Sequence, residues 1–125
     1  MSDQTAILET ERQRDAATIA AQNDLFRSSL GETTDLPVQM VMTQGVAALT
    51  PIEQLDVIRS VARFETFDED NDPHGEHDFG AFEVKGKRLF WKLDLYANDL
   101  QHGSDDPTNP KETYRILTIM LAGEY

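Results

Sequence analysis

A chain of 125 residues with 23 acidic and 11 basic side chains, formal charge −12, is read as a single domain, 1–125, around one hydrophobic core. The acidic excess argues against direct nucleic-acid binding and against docking on an anionic membrane, since both need clustered Lys and Arg. Any partner it favours is a basic surface on another protein, and the plainer reading is that a net charge away from zero keeps a small domain soluble. With no cysteine, there is no disulfide, no thiolate zinc site and no thiol nucleophile.

Met1-Ser2-Asp3-Gln4 does not open a secretory signal, and no apolar run nears the ~20 residues of a membrane span, so a cytoplasmic location is expected. Residues 4–30 lack Gly and Pro and are rich in Ala, Glu, Gln and Arg, which predicts a helix with Ser2 or Asp3 as cap and Gly31 as its left-handed stop. Ala16, Ile19, Ala20, Asn23, Phe26 and Leu30 share one side of it. That seam packs on the body of the domain or makes the helix a homodimerising element. Residues 32–37 are a connector, 38–43 a strand, and Gln44-Gly45 its end.

Thr50-Pro51-Ile52-Glu53 carries a capping box with Pro at the first helical position. It starts a helix over 51–62, with Ile52, Leu55, Ile58 and Ala62 as its buried stripe and Val61 beside them. Residues 63–67 read as a short strand. Residues 79–84 and 88–96 form a hairpin through Lys85-Gly86-Lys87, with Leu89, Trp91, Leu93 and Leu95 on the core face and Phe90, Lys92, Asp94 and Tyr96 on the other. Residues 98–113 are a long surface loop. The run 115–121 is a central strand buried on both faces, or else a helix. The sum is an α+β domain: a mainly antiparallel sheet with two helices on one face.

Between the predicted strands, Asp68 to Gly80 packs six carboxylates and two of the three histidines into thirteen residues. Asp68, Asp70, Asp72 and Glu76 follow the first, third, fifth and ninth positions of a calcium loop. Pro73 then stands where the turn needs Gly, and Phe79 where the bidentate Glu belongs. His74, Glu76, His77 and Asp78 supply ligand types for a transition metal, with His102 as an outside contributor, and no helical two-His spacing. His74, His77 and Asp78 are the candidate catalytic groups, with Glu76 beside them and Lys92, Asp94, Tyr96 and Arg115 as helpers. The plainest alternative is a polar turn. No motif calls for a cofactor.

The strings Asn71-Asp72-Pro73-His74-Gly75-Glu76-His77-Asp78-Phe79-Gly80, Phe90-Trp91-Lys92-Leu93-Asp94, Asp106-Pro107 and Arg115 through Tyr125 resemble a family of short bacterial proteins of unknown function. Its members are frequent in alphaproteobacteria and on plasmids and phages. The resemblance runs from about Thr43 to Tyr125. It implies a context, small proteins of mobile elements that act on host machinery including defence systems, and no activity.

Two functions are therefore expected in competition. One is a small acidic binding protein, an inhibitor of a host nucleic-acid-handling or defence complex, that engages a basic site through Asp68, Glu69, Asp70, Asp72, Glu76 and Asp78 with Asp105 and Asp106. The other is a metal-dependent or acid–base enzyme centred on His74, Glu76, His77 and Asp78.

Overall fold

The computed structural model describes residues 2–30 and 38–125. A four-stranded sheet in the order β1-β4-β3-β2 is built from β1 (Val38–Met42), β2 (Phe79–Val84), β3 (Lys87–Tyr96) and β4 (Tyr114–Leu121). The β2/β3 and β3/β4 pairs are antiparallel; β1 joins the edge parallel to β4. Helices α1 (Ser2–Ser29), α2 (Gln44–Ala47) and α3 (Pro51–Arg63) complete the α+β fold.

The hairpin follows from its turn. Lys85 and Gly86 take φ of 51° and 79°, the left-handed pair that a tight two-residue connection requires. Register then puts Gly80, Phe82, Leu89, Trp91, Leu93, Leu117 and Ile119 on one side, where Leu89, Trp91, Leu117 and Ile119 are fully buried with Val46, Val57 and Val61. Gly80 must be Gly, because a Cβ there would collide with the Trp91 indole nitrogen and lie 2.7 Å from Phe64 Cζ.

The capping box of α3 forms as read. Glu53 N donates to Thr50 Oγ1 and Thr50 N donates to the Glu53 carboxylate, both at 3.2 Å. The rotation of this helix differs from the expected stripe. Val57 and Val61 are buried, whereas Ile52 is 68% and Leu55 45% exposed. Gln54 accounts for this, since its amide donates to the carbonyls of Ala47 and Leu49 and so turns the 54–57–61 line inward.

Three further expectations change. The strand expected over 63–67 is absent: Arg63 ends α3 and residues 64–67 form no strand, with Phe64 and Phe67, three apart, both setting their rings edge-on to Trp91, which a two-residue alternation would forbid. Strand β4 alternates through most of its length, with Arg115, Leu117 and Ile119 covered by the helical layer and Ile116 and Thr118 half-exposed; only at its end, where Met120 on the other face is also buried, are both faces covered. Helix α1 already includes Ser2, so neither Ser2 nor Asp3 precedes it as a cap. Leu30 takes a left-handed φ of 53° after its last turn. Gly31 and the 32–37 connector lie outside the described residues.

In α1 the residues from 4 to 15 are exposed all round, and Ile19, Ala20, Asn23, Phe26 and Arg27 are buried. The seam that would suit a dimerising helix is thus spent on packing within the chain.

Candidate functional site

Three consecutive residues of α1 hold both acidic loops. Gln22 Nε2 donates to the Thr108 carbonyl at 2.9 Å, and Asn23 Nδ2 donates to the Glu76 carbonyl at 2.9 Å. Asp24 accepts from His77 Nδ1 at 2.9 Å. Beneath them Arg115 of β4 donates from Nε to Asn23 Oδ1 at 3.0 Å and from Nη2 to Gln22 Oε1 at 2.6 Å. Arg115 is buried against these neutral amides, and that burial lowers its pKa.

The 68–78 segment is a tightly wound turn. Asp68 Oδ1 accepts from the backbone N–H of Asp70 and Asn71, an Asx turn that consumes its carboxylate locally. Asp72 is 8% exposed, and its Oδ1 accepts from the N–H groups of Glu76 and His77. Gly75 at φ 71° and His77 at φ 54° let the chain fold over that carboxylate. For a non-glycine residue the left-handed region costs about 1–2 kcal/mol, and His77 is held there from several sides. Its ring stacks on Phe67 with centroids 3.9 Å apart, Nδ1 meets Asp24, and Nε2 faces Asp72 Oδ2 at 3.6 Å. Asp24 in turn accepts from Arg27, whose guanidinium lies 4.9 Å from the Trp91 ring.

Several of the predicted site residues are therefore separated. His77 turns its two ring nitrogens to the partly exposed carboxylate of Asp24 and the buried one of Asp72, while His74 is exposed. Lys92, Asp94 and Tyr96 lie on the sheet face away from the helices, with Lys92 and Asp94 paired at 3.2 Å, and Arg115 lies on the helical side. His102 pairs with Asp99 in the 98–113 loop. Among the described residues, no group of three or more His, Cys, Asp or Glu is arranged to hold a metal ion. His74, Glu76, His77 and Asp78 do not form one ligand set: the backbone reversal at Gly75–His77 turns the His77 ring to Asp24 and Asp72, while His74 and Glu76 line one cleft and Asp78 lies near enough to Glu76 for their charges to interact. Glu76 and Asp78 are half-buried, and desolvation raises the pKa of both. For Glu76 the charge of Asp78 adds to the effect, and for Asp78 that of Asp72.

The two acidic loops meet across α1. A cleft of about 430 Å³ is lined by Asp15 and Arg12 of α1, His74 and Glu76 of the first loop, and Asp105 and Asp106 of the second. Four carboxylates thus face one guanidinium and one imidazole. Asp68, Glu69 and Asp70 are exposed on the neighbouring turn, and Asp78 is half-buried outside the cleft. Asp15, Asp24, Arg27 and Phe67 carry this arrangement and escape a reading by motif. The available signal was polar: Asn23 and Arg27 are one helical turn apart on the stripe that Ile19 and Phe26 mark as buried.

The fold and cleft define a small α+β protein with an acidic groove between a long helix and two loops. Residues 42–124, about two thirds of the chain, match the family described as Protein of unknown function (DUF3768), and the chain belongs to that family. The two ends of the matched segment meet in space, where Thr43 Oγ1 donates to Glu124 at 2.6 Å and Gly45 N to the same carboxylate at 2.9 Å. No curated protein and no solved structure matches the chain.

Proposed function

We propose that this protein is a binding protein whose acidic cleft engages Lys and Arg side chains of a partner protein. The observation that carries the reading is the convergence of Asp15, Glu76, Asp105 and Asp106 on one cleft, from a helix and two loops pinned by Gln22, Asn23 and Asp24. A cation entering it meets carboxylates carried on a helix and on two loops whose backbones are pinned to that helix, so less of the chain has to be ordered on binding. Asp68, Glu69 and Asp70 extend the negative field outward and favour fast, steered encounter. The partner class that fits is a host protein with a Lys/Arg-lined site that otherwise holds phosphate, as in nucleic-acid-handling and defence complexes; carboxylates held in the cleft would stand in for the phosphates. The inward geometry of His77 favours a structural role over acid–base work. Asp72 likewise belongs to the scaffold.

The test is paired affinity capture with quantitative mass spectrometry. Wild-type protein and the variant Glu76→Gln/Asp105→Asn/Asp106→Asn serve as baits in the same lysate. The expected result is a basic, phosphate-binding protein retained by the wild type, lost from the variant and released by moderate salt. Capture that ignores the variant, or is abolished only by His74→Ala, would overturn the reading.

A further inference from the structure

The helices cover one face of the sheet, and the register assigns the other. Phe79, Phe90, Tyr96, Val41, Ile116 and Thr118 lie there, all half-exposed, with Phe79 and Phe90 in ring contact at 5.2 Å. Tyr125 folds back onto this face, 5.5 Å from Phe90 and 6.0 Å from Phe79, and remains 75% exposed. The charges on the face are Glu83, Arg88, Lys92 and Asp94, two of each sign, and Lys92 and Asp94 pair with one another.

We infer that this open sheet face is the homodimer interface of the protein, packed against the same face of a second copy. Charge selects the occupant. Two chains of −12 repel each other over most of their surfaces, and this face brings them together with no net charge while keeping the carboxylate-lined cleft, on the helical side, clear of the contact. A two-fold axis lying in the plane between the two facing sheets and crossing β3 at Leu93 sets Lys92 of one copy near Asp94 of the other, a self-complementary arrangement. Aromatic side chains in a charge-poor patch are the composition of interface cores. Size sets the strength. Four strands at ~4.8 Å and about six residues at ~3.3 Å give a face roughly 20 Å square, about 400 Å² in projection per copy. A pair then covers about 800 Å² in projection, below the ~1,200 Å² at which standard specific interfaces begin, so the dimer is weak, concentration-dependent and not obligate.

Sedimentation equilibrium on the full chain tests this. The wild type should pass from one chain to two between ~1 µM and ~1 mM, and 0.5 M salt should leave the dimer intact or tighten it by screening the mutual repulsion. Thr118→Arg, in the middle of the face, should weaken dimerisation at least tenfold with an unchanged melt in dilute solution. Tyr125→Asp is the second variant; its exposed position leaves the fold intact if Thr118→Arg does not fold, and it should weaken the dimer in the same direction. A wild type that stays monomeric to ~1 mM, a dimer that salt dissolves, or one indifferent to the variants that fold would overturn the inference.

Discussion

Replacing Trp91 by Ala should remove the centre of the core. The side chain is fully buried, and deleting a buried large aromatic costs ~3–5 kcal/mol. The surroundings push this site toward the upper end. Phe64 and Phe67 meet the indole edge-on at 5.5 and 6.1 Å, contacts worth about 0.5–1.5 kcal/mol each beyond area. Arg27, itself 3% exposed, stacks its guanidinium 4.9 Å from the ring centroid, an interaction of roughly 2 kcal/mol when desolvated. The indole nitrogen has no acceptor, so no hydrogen bond is lost with it. The expectation is a loss of about 4–5 kcal/mol, against a total of ~5–15 kcal/mol for a domain of ordinary stability. Urea titration followed by far-UV circular dichroism measures it without the missing fluorophore. Trp91→Phe keeps a ring between Phe64 and Arg27 and should cost markedly less. A loss below ~1 kcal/mol for Trp91→Ala would show that the facing of β3 is wrong.

Gly80→Ala should destabilise by about 1–3 kcal/mol in the same titration, as overpacking against Trp91 and Phe64 does; a neutral result would mean that Trp91 is free to move. A double-mutant cycle on Asp24→Ala and His77→Ala should return a coupling of ~0.5–1 kcal/mol for this partly exposed pair, and additive effects would deny that it clamps α1 to the acidic loop. Asp78→Asn should raise the melting temperature at pH 7. The raised folded pKa of Asp78 means that its stabilising contribution is present below the unfolded pKa and lost as pH rises through the folded one, so the gain from Asn should vanish on acidification to about pH 3. A gain that grows toward low pH would contradict the assigned burial effect.

Local chemistry explains which elements were legible. The Thr50–Glu53 box and the hairpin turn are decided by neighbours in sequence; the box forms as read, and the turn read as Lys85-Gly86-Lys87 closes one residue sooner, with Lys87 already in β3. The β3 alternation is legible because a two-residue period has one solution when one face is buried. Residues 63–67 misled because Phe64 and Phe67 look β-like, and only the position of Trp91, far along the chain, makes both turn to the same side. The rotation of α3 was hidden for a similar reason: Gln54 chooses it through carbonyls in the preceding loop. For the site, composition marked the two acidic loops. Their meeting in one cleft depends on Gln22, Asn23 and Asp24 of α1, at sequence separations of 86, 53 and 53 residues. Nor does composition separate the carboxylates that face solvent from Asp72, which the turn consumes internally.

The cleft is tested most directly by a ¹H–¹⁵N titration of the ¹⁵N-labelled full chain with a short Lys/Arg-rich peptide at physiological salt. The largest shift changes should fall on Asp15, Glu76, Asp105, Asp106 and the α1 residues beside them, and they should disappear in the Glu76→Gln/Asp105→Asn/Asp106→Asn variant. Changes spread evenly over all exposed carboxylates, or centred on Asp68–Asp70 with the cleft silent, would contradict the account.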